Sequence, residues 1–330
     1  MPGPQVDELT KQILEVLPRV RDLDAAIESV RTRLDILVPG LAASMSAELA
    51  EAREQVQRQF ENIEILHKHP VLRRRAQWYF GPKPTDLHWP AVRDYLLNEK
   101  GWPEEDVRGI DDASNEVVSL SENPNNDTFA SRGLVVGHVQ SGKTANMTAV
   151  IAKALDAGYD TVIVLAGLTN KLRYQTQLRL FNDLVSRNPI NWQLLTPNEL
   201  NRDFRAPPHG GFLSHTDKAQ LAVIKKNVSP LGELERAVRK TFPSVLKRLR
   251  ILVIDDECDQ ASVNSARGEL DMTAINKRIR KLLSHLPAVS YVGYTATPFA
   301  NVLINPYPVD GQKFDDLYPR DFITALPSPA

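Results

Sequence analysis

Cysteine is nearly absent. The single Cys258 in 330 residues excludes an internal disulfide framework and any multi-cysteine zinc site. Charge of one sign is lacking too: 40 Lys and Arg against 41 Asp and Glu leave a formal net charge of -1, so no global field draws the chain to nucleic acid, and any such contact has to come from local patches. Nowhere do about 18 apolar residues stand together, and the opening "MPGPQVDELTKQ" has no basic stretch followed by an apolar core. Neither a membrane span nor a signal peptide is indicated, and the cytoplasm is the expected compartment. What is present, 42% hydrophobic and 25% charged residues, is the balance of a globular protein long enough for two domains. Basic clusters occur at Arg73-Arg74-Arg75, from Arg239 to Arg250 and from Lys277 to Lys281, and read as solvated helix faces.

Val6, Leu9, Ile13, Val16, Val20, Leu23, Ile27, Val30, Leu34 and Leu37 alternate spacings of three and four, which lines them up along a helix that Pro18 should kink or restart. After Pro39-Gly40 a second stripe begins at Leu41, Met45, Leu49, Val56, Phe60 and Ile63. Residues 1–75 are therefore expected to form a helical hairpin, packed on itself or available for self-association. Residues 76–130, rich in Trp, Pro and turn residues, read as a connector packed on the domain that follows. From 131 to 330 the texture changes to short apolar runs ("GLVV", "TVIVLAG", "QLAVI", "RILVID", "VSYVGYT") alternating with helical segments. That alternation predicts an α/β domain, a parallel sheet flanked by helices, preceded by the α-helical N-terminal region. Ligands of such sheets bind at the carboxyl ends of the strands.

Three motifs fall at such ends. The first, Gly137-His138-Val139-Gln140-Ser141-Gly142-Lys143-Thr144, fits the phosphate-loop spacing between an apolar strand and a helix. Its glycines let backbone amides close around phosphate oxygens. The helix start adds a positive dipole end, Lys143 reaches the terminal phosphates, and the Thr144 hydroxyl can hold magnesium. ATP and Mg2+ are the expected cofactors. In the second, "RILVIDDECDQ", Asp256 would hold magnesium, Glu257 would polarise the attacking water, and Asp259 would couple the site to its surroundings. Asp255 is extra in this alignment, and the register could slip by one. Cys258 reads as a small buried residue, since no Cys-His arrangement surrounds it. In the third, "YVGYTATPFAN", Thr295 and Thr297 place hydroxyls near the acidic cluster. The stretch "LAGLTNKLRYQTQLR" either touches a nucleic-acid backbone through Thr169, Asn170 or Gln175, or is a capped helix with a solvated face. Arg173 and Arg179 within it are expected to face outward from the sheet.

The phosphate loop, then D-E-C-D, then T-A-T-P, in this order, resemble the first RecA-like domain of superfamily-two helicases and DNA translocases. More narrowly, "GLVVGHVQSGKTANMTAVIAKALDAGYDTVIVLAGLTNKLRYQTQLRL", "VIDDECDQASVN", "YVGYTATPFANVLI", "LYPRDFITALPSP" and the upstream "WYFGPKPTDLHWPAVRDYLLNEKGW" are similar to the Z-one domain family of candidate endonucleases. That family consists of large bacterial proteins associated with restriction-modification and phage-defence clusters. The resemblance implies an ATPase acting on DNA, with nuclease and methyltransferase functions carried by other subunits. The family continues with a second RecA-like domain, which supplies an arginine to the ATP site. This chain stops at Ala330, so weak hydrolysis in isolation is expected. The residues show no nuclease constellation: the one carboxylate cluster is used by the nucleotide. A reading from another class is a nucleotide-dependent interaction protein that engages a partner through its N-terminal helices without translocation; a third is an inactive fragment.

Overall fold

The computed structural model describes residues 5–6, 8–10, 12–13, 16, 23–68, 77–137, 142–207, 211–259, 269–296, 317 and 319–326, with the backbone alone at 58–68 and 269–273. The chain divides into two compact units, Met1–Pro70 and Val71–Ala330.

In the first unit, helical residues between 5 and 16 are followed by helices α1 (Leu23–Leu37), α2 (Leu41–Ser44) and α3 (Ser46–Lys68). Val6, Leu9, Ile13 and Val16 are buried in one apolar cluster with Ile27, Val30, Leu34, Leu49 and Val56. Both stripes thus feed a single core. Leu37 departs from expectation: it is 75% exposed, being the last residue of α1 before the chain reverses at Gly40, whose φ of 81° favours glycine. Arg53 of α3 donates to Asp24 of α1 at 2.8 Å. Pro18 and Val20 lie outside the described residues.

The second unit is built on seven parallel strands: β1 (Phe129–Val136), β2 (Thr161–Ala166), β3 (Trp192–Leu194), β4 (Ala219–Lys225), β5 (Ile251–Asp256), β6 (Ala288–Thr295) and β7 (Phe322–Ala325), in the spatial order β3-β4-β2-β5-β6-β1-β7. Rows of Val, Ile and Leu make the central strands apolar on both faces, the pattern a parallel sheet needs when helices cover both sides. Val162 and Val164 of β2 belong to one apolar cluster and Ile163 and Leu165 to the other. Helices α4 (His88–Asp94), α5 (Glu104–Leu120), α6 (Lys143–Ala157) and α7 (Asn170–Asp183) contribute to the first, through Trp89, Val117, Met147 and Leu180. Helices α8 (Val228–Lys240), α9 (Pro243–Leu246) and α10 (Glu269–Ser284) cover the second, through Leu231, Val245 and Ile279.

The segment from Trp78 to Leu120 is fastened to α6 by polar contacts as well. Asp156 of α6 accepts hydrogen bonds from the backbone N–H groups of Leu87, His88 and Trp89 at 2.9, 2.9 and 2.8 Å, and so satisfies donors that the start of α4 leaves open. Lys153, fully buried, pairs with the Asp111 carboxylate, donates to Asn115 at 2.6 Å and lies 4.4 Å from the centroid of the Trp89 ring. These contacts lay the segment along the helix whose first turn carries Lys143 and Thr144.

Candidate nucleotide-binding site

Strand β1 leaves the sheet at Gly137, whose N–H donates to the Thr295 carbonyl of β6 at 2.9 Å. Gly142 sits directly before α6 at φ 72° and ψ 20°, a left-handed conformation that costs little without a Cβ. Lys143 opens α6 and its Nζ donates to the Gly137 carbonyl at 2.9 Å, closing the base of the loop. Burial lowers the Lys143 pKa, against the weaker opposing pulls of Asp256, Asp259 and Glu257. His138, Val139, Gln140 and Ser141 lie outside the described residues, as does Thr297.

The two aspartates that end β5 point in opposite directions, as strand alternation requires. Asp255 is fully buried, accepts from the Tyr291 hydroxyl at 2.7 Å and stands 3.1 Å from the Lys226 ammonium. It is committed to an internal ion pair. Asp256 is only partly buried, and its pKa is pushed up to about 6 by burial, then by Glu257 and Asp255, against the pull of Lys226 and Lys143. Glu257 follows at φ 55°, the one non-glycine with positive φ among the described residues. Cys258 is buried as expected, and its N–H donates to the Tyr294 carbonyl at 2.9 Å. A Cβ at Gly293 would lie 2.8 Å from the Cys258 sulfur, so glycine makes room for it in β6. The Thr295 hydroxyl donates to Asp259 at 2.9 Å. Motifs one, two and three therefore meet at neighbouring strand ends.

One expectation holds in part and one is overturned. Arg179 is exposed, yet its guanidinium also donates to the Thr144 hydroxyl at 2.8 Å, because α7 runs past the start of α6. Arg173 is fully buried, bonded to Gln177 at 3.1 Å and to the Glu199 carbonyl at 2.5 Å, since the chain after α7 folds back over it. Thr169 caps α7 by accepting from the Leu172 N–H at 3.2 Å. Of the basic run from Lys277, Arg278 and Lys281 both bind the buried Glu235 at 2.8 Å, which spends part of that charge internally. Arg73, Arg74 and Arg75 lie outside the described residues.

A cleft of about 720 Å³ opens from Gly142, Lys143 and Thr144 and runs between α6, α7 and the segment after α4. Leu96 and Trp102 form one wall, Arg179 and Asp183 the other, and Thr148 the floor. At its far end Lys100 pairs with Asp183 at 3.0 Å and sits 5.7 Å from the Trp102 ring centroid. Sequence reasoning missed this wall, Arg179 and Lys226. Only Lys226 carried a signal, as a lysine at the carboxyl end of an apolar strand.

For magnesium, the fitting donors are the Thr144 hydroxyl and Asp256, whose carboxylate ends β5. Among the described residues no three His, Cys, Asp or Glu side chains converge as a ready cage. Magnesium commonly takes one or two carboxylates and completes its shell with substrate phosphates and water, and this donor set suits a metal that arrives with the nucleotide.

No family model matches the chain, and no curated protein matches it. Among solved structures it is similar to a variant of S. cerevisiae Dbp5 bound to Nup159, Gle1, IP6 and ADP, at 15% identity and TM-score 0.40, over 72% of this chain and 52% of that one. It is also similar to the ATP-dependent Type ISP restriction-modification enzyme LlaBIII bound to DNA, at 14% identity and TM-score 0.36, over 66% of this chain and 13% of that one. A Dbp5 variant bound to RNA and ADP BeF3 follows at 17% identity and TM-score 0.34, over 61% and 46%. The chain thus spans about half or less of each of these proteins. Among the described residues no helix is long and apolar enough to cross a membrane.

Proposed function

We propose that the chain is an ATP-binding and ATP-hydrolysing module of a helicase-like, DNA-acting protein, in a bacterial restriction or phage-defence system of the kind the Z-one resemblance implies. What supports the reading is that the glycine loop, the acidic turn and Thr295 stand at the ends of the neighbouring strands β1, β5 and β6, while Lys143 and Thr144 line a cleft large enough for a nucleotide. Gly137 to Thr144 would cradle the phosphates. Thr144 and Asp256 would hold Mg2+, which supplies charge neutralisation across the β- and γ-phosphates. Glu257 would accept the proton of the water that attacks the γ-phosphorus, as the bond to ADP breaks. Asp259, Thr295 and Thr297 would relay the nucleotide state to neighbouring strands. The cleft beyond Thr144, with Trp102 and Leu96, would receive the nucleoside. Nuclease or methyltransferase action would belong to partners, and DNA is the expected polymer.

Calorimetry with a non-hydrolysable ATP analogue tests this. Micromolar or tighter binding is expected for the protein and none for Lys143→Ala, which removes a loop charge without opening a cavity. Unchanged affinity in that variant would count against the assignment. A second reading, a nucleotide-dependent interaction switch, is favoured by the separate core of the N-terminal unit. Analogue-dependent self-association through residues 1–70, with no turnover response to DNA, would select it.

A further inference from the structure

Lys226 lies just beyond β4, outside every residue assigned above to phosphate, metal or water. Its side chain is fully buried. The ammonium donates to the Asp256 carbonyl at 2.7 Å and to the Glu257 carbonyl at 2.6 Å, and stands 3.1 Å from the Asp255 carboxylate. Two of its three donors are thus spent on carbonyls, and the carboxylate balances the charge. The backbone N–H of the same residue donates to the carbonyls of Ala166 and Gly167, at 3.1 and 3.2 Å, where β2 leaves the sheet. Lys226 therefore joins the β2 exit to the acidic turn through its main chain on one side and its side chain on the other.

A lysine that served only to neutralise Asp255 would have no need of the two carbonyls. Those carbonyls belong to the residues that hold the metal and the attacking water in the reading above. They also flank a backbone that an unconstrained glutamate avoids, since the left-handed region is rarely adopted by a residue with a Cβ. We propose that Lys226 is a positioning residue for ATP hydrolysis: its ammonium clamps the carbonyls of Asp256 and Glu257 and holds Glu257 in the left-handed conformation that orients the acidic turn toward the phosphates. The proposal rests on the ATPase reading and adds to it a residue that touches neither nucleotide nor water.

Two variants of the full chain separate the clamp from simple charge balance. Lys226→Met with Asp255→Asn removes both charges and keeps an acceptor for Tyr291, whereas Asp255→Asn alone keeps the clamp and unbalances the charge. Single-turnover hydrolysis with protein in excess, alongside calorimetry with an ATP analogue, reads both. A clamp predicts that the double variant binds the analogue within about threefold of the unmodified protein and hydrolyses about 100-fold more slowly, the scale of a misplacement near 1 Å, while Asp255→Asn keeps its rate. Adding Glu257→Gln to the double variant should cost nothing further, because both changes act through one carboxylate. Wild-type turnover by the double variant, or damage confined to Asp255→Asn, would overturn the proposal. If thermal melting shows the double variant unfolded, Lys226→Gln with Asp255→Asn retains one donor; about tenfold slower turnover is then expected, and full activity refutes the clamp. Failure of the unmodified protein to bind the analogue, or an unimpaired Glu257→Gln, would instead bring down the ATPase reading itself.

Discussion

Asp256 carries a charge where the fold disfavours it. Its folded pKa, raised to about 6 from an ordinary 3.8, means that the folded state binds more protons than the unfolded state between those values. The stabilising contribution of this group is complete below about pH 4 and is lost as pH rises through 6. At pH 7 its ionised form costs the nucleotide-free protein roughly 1–2 kcal/mol, allowing for partial solvation. Asp256→Asn should therefore raise the melting temperature at pH 7 by about 2–6 °C without nucleotide, and weaken the magnesium dependence of analogue binding. A lower melting point, measured by calorimetric scanning, would contradict this. Arg179 makes the opposite kind of contact, a cation on the Thr144 hydroxyl that, on the proposed reading, would yield to magnesium and turn to the bound phosphate. Arg179→Ala is expected to weaken ATP binding about tenfold relative to ADP, the worth of one charge-assisted hydrogen bond, in a competition assay. The places of the glycine loop and the acidic turn, at the ends of β1 and β5, were legible because each follows a contiguous apolar run. The contacts of Arg179 and Lys226 were not, because each acts on residues far away in sequence, and even the strand-end position of Lys226 does not record which residues it meets.

Helix α4 owes its place to a side chain from another element. With Asp156 replaced by Ala, three backbone donors lose their acceptor, a loss of about 1–3 kcal/mol as for a strong N-cap. The wall that follows, Leu96 and Trp102, should loosen with it. ATP affinity is then expected to fall several-fold while inorganic tripolyphosphate, which needs only the loop, binds unchanged; equal losses for both ligands would show that the wall takes no part. Among the elements, the five central strands could be read from their apolar runs because burial on both faces leaves a continuous signal. The edge strands could not. In β3 only three residues, Trp192–Leu194, pair with a neighbour, and the four residues of β7 stand far from any helical pattern. Strand β1 also starts earlier than its apolar run, at Phe129, since Ser131 hydrogen-bonds Ser290 at 2.8 Å and Arg132 takes Asp321 through its N–H at 2.7 Å. Polar residues thus extend a strand where partners for them exist.

At the scale of the molecule, the phosphate loop, the acidic turn and Arg179 all lie in one unit. Charge on the transferring phosphoryl group is usually met by an arginine from across a cleft, an effect of about three to five orders of magnitude in rate. Steady-state phosphate release by this chain is therefore expected to be very slow and to respond little to duplex DNA. Robust DNA-stimulated turnover would refute that, and its loss in Arg179→Ala would show that the arginine acts from within the same unit.

The order of the strands also has a meaning during synthesis. Strand β1, which leads into the phosphate loop, lies between β6 and β7, so its two neighbours are roughly 160 and 190 residues later in the chain. At about 5–20 residues per second, roughly 8–30 s separate the emergence of β1 from that of its first partner. Throughout that interval the apolar strand has no sheet to join, and the Gly137 N–H lacks the Thr295 carbonyl that anchors the loop. On the ATP-binding reading, nucleotide would stabilise this unit only after β6 has been made. On the ribosome, protection of this segment falls to whatever shields exposed strands, and on the same reading a message truncated before β6 would yield a chain that ATP could not rescue.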